Sequence, residues 1–141
     1  MQATKPELDE LADALRDIVM AARRHASESA HDTAVIALLA HLTASGPLRA
    51  SELAERACLD PSTVSRHLRS LETDGYLVRT PDPDDGRATR LEVTSDGRNL
   101  VREARQHKVD RLGAAVSEWT ADDLATLTRL ARKLADSMET L

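Results

Sequence analysis

Apolar positions recur with a helical period over most of the chain. Over residues 7 to about 27, Leu8, Leu11, Leu15, Ile18 and Ala22 follow one another in steps of three and four, which gathers them on one helix face. That stripe needs a partner. A polar break over 26–32 (ASESAHD) precedes a second helix at 33–44, where Val35, Ile36, Leu38, Leu39 and Leu42 make most sides apolar, so it should lie deep in a core. Ser45-Gly46-Pro47 closes it, and Leu48 is expected to begin a short strand. Residues 51–57 (SELAERA) then form a short helix with Leu53, Ala54 and Ala57 on one side. Only Cys58 and Leu59 separate it from the segment 60–72 (DPSTVSRHLRSLE), in which Val64, Leu68 and Leu71 recur at i, i+4 and i+7. Two helices across so short a turn make a helix-turn-helix.

The period then changes. Residues 76–80 and 89–93 are rich in β-formers, with the turn sequence PDPDDG (81–86) between them, and Thr89, Leu91 and Val93 alternate with Arg90 and Glu92. This is the pattern of a two-stranded wing. Thr94 is placed to cap a long helix to about residue 118, with Leu100, Val101, Ala104, Val109, Leu112, Val116 and Trp119 at its apolar positions and Gly113 marking a close contact or a bend. Thr120 with Asp123 makes a capping-box start for a last helix, whose Leu124, Leu127, Ala131, Leu134, Met138 and Leu141 form a seam.

The 60–72 helix carries the chemistry. Asp60 is a hydrogen-bond acceptor at the N-cap, and Pro61 suits the first helical position because its missing N–H is not needed there. With Val64, Leu68 and Leu71 inward, Ser62, Thr63, Ser65, Arg66 and Arg69 fall on the outer face, which no acidic residue interrupts between Pro61 and Leu71. Arginine pairs bidentately with guanine, hydroxyls bond bases or phosphates, and a major groove admits one helix. A merely solvated polar face would look similar taken alone; the helix before it and the wing after it favour a recognition helix.

The succession ELAERACLDPSTVSRHLRSLETDGYLVR followed by DPDDGRATRLEVTSDG resembles the MarR family of winged-helix transcriptional regulators, and the likeness extends over nearly the whole chain. The wing is its most specific part: Asp85-Gly86-Arg87 matches a D-x-R motif, and LEVTSDG matches an L-x-L-T-x-x-G step into the next helix. The resemblance implies a mainly α fold with a small β-wing: a winged helix-turn-helix plus a helical dimerisation domain formed by the N- and C-terminal helices. The expected divisions are an N-terminal dimerisation helix at 1–30, a DNA-binding domain at 31–96 and C-terminal dimerisation helices at 97–141. It further implies a homodimer on a pseudo-palindromic operator in double-stranded DNA, acting most often as a repressor. Ser62, Thr63, Ser65, Arg66 and Arg69 would meet the major groove and Arg87 the minor groove, with Arg90 beside it and Asp85 orienting the wing. A small-molecule effector bound between the helical and winged parts is compatible with it. Two departures stand out. Cys58 occupies a turn position that is often glycine, and Arg49 stands where a hydroxyl cap is common, leaving Ser51 as a weaker candidate.

Composition adds limits. The chain has 141 residues, 41% apolar, with no Phe, one Trp and one Tyr, so a core must be built from small aliphatics. Those two rings, Trp119 and Tyr76, are the only aromatics for a ligand pocket. A formal charge of −5 argues against indiscriminate nucleic-acid binding. The charges are segregated, however: Arg66, Arg69, Arg87 and Arg90 sit on the proposed contact elements, while Glu7, Asp9, Glu10, Asp13 and Asp17 crowd the first helix. One cysteine excludes an internal disulfide, and neither a membrane-length apolar run nor a leader pattern is present, which points to the cytoplasm.

Other chemistries are weaker. His25, His31, His41, His67 and His107 lack zinc-ligand spacing, so no cofactor or metal is expected, although a metal-responsive regulator is an alternative. Cys58, just before the recognition helix, suggests a redox-responsive one; a small packing residue is the commoner role. No nucleophile–base set or phosphate loop marks an enzyme. A winged-helix protein-interaction module that no longer reads DNA is the rival from another class.

Overall fold

The computed structural model describes residues 3–26 and 32–141. In chain order these form α1 (Lys5–Ala26), α2 (Thr33–Ser45), α3 (Ala50–Ala57), α4 (Pro61–Thr73), β1 (Leu77–Pro81), β2 (Thr89–Val93), α5 (Ser95–Ala115) and α6 (Ala121–Glu139). Most of the expected break at 26–32, and the expected helix end at Ser27, lie outside the described residues. The chain divides into two compact units, Met1–Val101 and Arg102–Leu141.

The core of the first unit is aliphatic. Leu38, Leu39 and Leu42 of α2, Leu53 and Ala54 of α3, Val64, Leu68 and Leu71 of α4, and Leu77, Leu91 and Val93 of the strands are buried together. The i, i+4, i+7 stripe of α4 is therefore its inner face, and its polar residues are left outward. Burying a leucine such as Leu68 removes its apolar surface from water, and truncation to alanine would cost about 2–5 kcal/mol.

β1 and β2 pair antiparallel, Leu77 opposite Val93 and Pro81 opposite Thr89. Leu48 joins them through a single bridge, its N–H donating to the Leu91 carbonyl at 3.3 Å and its carbonyl accepting from the Leu91 N–H at 2.7 Å. The expected third strand is thus one residue long. It still ties the start of α3 to the wing.

The step from wing to α5 explains its own sequence. Thr94 Oγ1 accepts from the Gly97 N–H at 3.1 Å and donates to the Gly75 carbonyl at 2.7 Å, while the Thr94 N–H donates to the Tyr76 carbonyl at 3.1 Å. One threonine caps α5 and holds it to the turn after α4. A Cβ on Gly97 would collide with the Tyr76 carbonyl oxygen and come within 2.7 Å of Val93 Cγ1, so only glycine fits. Gly113, by contrast, has nothing within 4 Å of its Cβ position, so it marks no close contact among the described residues. α5 ends at Ala115, short of the expected residue 118.

Several large apolar side chains outside that core are exposed. On α1, Leu8, Leu11, Leu15 and Ile18 are exposed. In the second unit, Leu124, Leu127, Leu130 and Met138 of α6 are exposed too. The capping box of α6 is complete: Thr120 Oγ1 accepts from the Asp123 N–H at 3.1 Å, and the Asp123 carboxylate accepts from the Thr120 N–H at 3.3 Å. No helix among the described residues is long and apolar enough to cross a membrane.

Candidate nucleic-acid interface

The turn between α3 and α4 is built by two residues. Cys58 adopts the left-handed conformation (φ 53°, ψ 38°), its N–H donates to the Glu55 carbonyl at 3.2 Å, and the Leu59 N–H reaches back to the Ala54 carbonyl at 3.2 Å. This is the glycine-like position noted in the sequence, occupied by a residue that carries a Cβ. α3 starts at Ala50, one residue before the expected start, with Arg49 at the N-cap and the Glu52 carboxylate accepting from the Arg49 N–H at 2.8 Å. Ser51 lies inside the helix and does not serve as its cap.

Asp60 caps α4. Its carboxylate accepts from the Thr63 N–H at 3.0 Å and from the hydroxyls of Ser62 and Thr63. Those hydroxyl bonds, then the amide, hold the carboxyl well below the usual carboxylate range. The two hydroxyl protons are therefore committed to Asp60. Ser62 and Thr63 can offer lone pairs to an incoming donor, such as an adenine or cytosine amino group, more readily than a proton to a phosphate.

Ser65, Arg66 and Arg69 are exposed along the outer side of α4, and Arg66 and Arg69 form no ion pair with any described residue. At i and i+3 they are neighbours on one face. Glu72, a turn further on, is neutralised by Arg79 of β1. The face thus keeps two unpaired guanidiniums.

At the wing tip Asp85 Oδ1 accepts from the Arg87 N–H at 3.0 Å, and the Asp85 carbonyl accepts from the Ala88 N–H at 3.0 Å. Asp85 shapes the loop backbone that carries Arg87, leaving the guanidinium exposed. Arg90 is placed otherwise than its sequence grouping suggests. Its Nε is 3.5 Å from Asp82 Oδ2 and its terminal nitrogen 3.5 Å from Asp84 Oδ2, so it turns back onto the wing. Asp82 itself was only part of a turn motif in the sequence, yet it is the one buried charged residue among those described. Nothing local in PDPDDG distinguishes it; its partner Arg49 lies 33 residues away.

Among the described residues, which leave out His31, no three His, Cys, Asp or Glu side chains gather to hold a metal ion. Cys58 is exposed with a free thiol.

A three-helix aliphatic core carrying a capped outer helix and a two-stranded wing defines a winged helix-turn-helix protein. The MarR family profile matches residues 34–89. The HTH-type transcriptional regulator YxaD of Bacillus subtilis is 33% identical over 97 residues, covering 69% of this chain and 68% of that protein. The HTH-type transcriptional repressor MdtR of the same organism is 29% identical over 103 residues, 73% of this chain and 66% of its own. A MarR family protein from Bacillus stearothermophilus superposes with a TM-score of 0.88 at 20% identity, covering 98% of this chain and 99% of that one. The chain belongs to the MarR family and is a DNA-binding transcriptional regulator.

Proposed function

We propose that the chain is a repressor that binds a pseudo-palindromic operator as a homodimer. In this reading the outer face of α4, with Ser62, Thr63, Ser65, Arg66 and Arg69, enters the major groove, and Arg87 on the wing enters the adjacent minor groove. The observation that carries it is the pair of exposed guanidiniums, Arg66 and Arg69, on a helix whose buried stripe aims them outward. Arg90, engaged with Asp82 and Asp84, supports the wing and contacts DNA only by exchanging those partners. MdtR, a repressor by name, supports the sign of regulation.

Dimerisation is argued from the uncovered stripes of α1 and α6, which burial against a second copy would remove from water. The division into dimerisation segments at 1–30 and 97–141 around a reading domain at 31–96 follows from the same argument. Two-fold pairing would set the recognition helices about 34 Å apart, one turn of B-DNA. A small-molecule effector would release DNA only by binding the non-reading arrangement more tightly than the reading one.

Selection from random-sequence duplexes tests this. The expected product is an inverted repeat with half-sites about one helical turn apart. Recovery of no preferred sequence would leave the winged helix as a protein-interaction module instead.

A further inference from the structure

We infer that Asp82 is a positioning residue for DNA reading: its buried carboxylate latches the wing to the start of α3, holding Arg87 at the distance from α4 that two adjacent grooves require. The inference rests on the proposed groove assignments of Arg87 and the α4 arginines.

The geometry is specific. The Asp82 side chain is only 1% exposed, and both of its oxygens are used. Oδ1 accepts from the Asp84 N–H at 2.9 Å, which turns the chain into the wing loop. Oδ2 accepts from Arg49 Nε at 2.7 Å and lies 3.5 Å from Arg90 Nε. The Asp82 N–H closes the loop base by donating to the Ala88 carbonyl at 3.0 Å. Asp82 therefore touches β2 through Arg90, the loop that bears Arg87 through Asp84 and Ala88, and the helix-turn-helix through Arg49.

Arg49 is the residue that makes this a latch. It is the N-cap of α3, yet its side chain contributes nothing to capping, since a guanidinium has no acceptor and the cap is closed by Glu52. Its backbone starts the first helix of the reading motif while its side chain crosses to the wing. The Asp84 amide and Arg49 hold the Asp82 carboxyl below its ordinary value, and Asp82 in turn raises Arg49. A two-stranded hairpin is marginal alone. The strand pairing, the Leu48 bridge, the Arg79–Glu72 pair and the shared aliphatic core hold the base of the wing to the helices, and this ion pair, one residue beyond the last strand pair, resists pivoting of the tip.

A contact that only stabilises the fold would weaken every DNA contact alike. A latch acts through Arg87. The test is a double-mutant cycle on the full chain, read by fluorescence anisotropy on the duplex that the wild type selects from random-sequence DNA. In the wild type, Arg87→Ala is expected to weaken binding about tenfold. In Asp82→Asn, which should itself bind about tenfold more weakly, adding Arg87→Ala should cost less than about twofold. Arg49→Gln, which keeps the backbone cap, should reproduce Asp82→Asn. Hydroxyl-radical footprints should lose minor-groove protection in both variants while the α4 half-site contacts persist. If Arg87→Ala costs nothing in the wild type, the groove assignment itself is wrong. If it costs as much in Asp82→Asn and in Arg49→Gln as in the wild type, the groove assignment stands and the latch is refuted. Should Asp82→Asn fail to fold by circular dichroism, Arg49→Gln carries the same cycle.

Discussion

Four side chains at the helix-turn-helix, Asp60, Ser62, Thr63 and Cys58, show how single residues set the reading surface. Asp60 starts α4 and takes the protons of Ser62 and Thr63, so its charge matters to both shape and chemistry. Its folded-state carboxyl is shifted down, so the stabilisation is complete above the unfolded carboxylate value of about 4 and lost as pH falls below that. Asp60→Ala should therefore lower the unfolding temperature at neutral pH, with the gap to wild type narrowing below about pH 4. A gap unchanged down to about pH 2 would contradict the capping role. Cys58 makes the opposite case, since a left-handed turn costs a residue with a Cβ about 1–2 kcal/mol. Glycine there relieves the strain but adds about 0.4–1 kcal/mol of unfolded-chain freedom, so Cys58→Gly should stabilise by at most about 1 kcal/mol. Cys58→Val should destabilise instead; denaturant midpoints decide both. The strain was legible in the sequence because a short turn between two amphipathic helices requires a C-cap, and Cys58 sits on it. The commitment of the Ser62 and Thr63 hydroxyls was not, because a hydroxyl's direction depends on the cap geometry around it.

Elements follow from periodicity, and their exact joints from local capping. α4 runs where its apolar stripe and its Asp-Pro start placed it, and the wing strands pair as the period-two alternation predicts. α5 carries two glycines of opposite meaning. Gly97 packs under the Tyr76 carbonyl, so Gly97→Ala should destabilise by about 1–3 kcal/mol through overpacking. Gly113 meets no atom among the described residues, so Gly113→Ala should stabilise by about 0.5–1 kcal/mol through helix propensity alone. Thermal unfolding of the pair should show opposite signs. In the sequence Gly113 stands out because it interrupts a helix, whereas Gly97 is only the last letter of a motif. Its crowding arises from a carbonyl 21 residues earlier, which no local pattern reports. Arg90 is similar: strand alternation puts it on the outer side, and only the buried Asp82 pulls it back.

At the scale of the whole molecule, charge and apolar surface are sorted by location. The total is acidic at −5, with Glu7, Asp9, Glu10, Asp13 and Asp17 on α1, whereas the outer face of α4 is basic between its cap and Glu72. That sorting predicts contact that depends on sequence and falls steeply as salt rises. The uncovered stripes of α1 and α6 predict a concentration-dependent dimer. Leu15→Lys should shift sedimentation toward monomer and weaken DNA binding about tenfold or more, because a monomer engages one half-site only. The measurement that bears most directly on the account is a salt titration of binding to the selected duplex by wild type and by Arg66→Ala. Log affinity should fall linearly with log salt for both, with a loss of about 1–3 kcal/mol on the selected duplex for the variant and a much smaller loss on scrambled DNA. Equal losses on selected and scrambled duplexes, or none on either, would mean that α4 does not read the sequence.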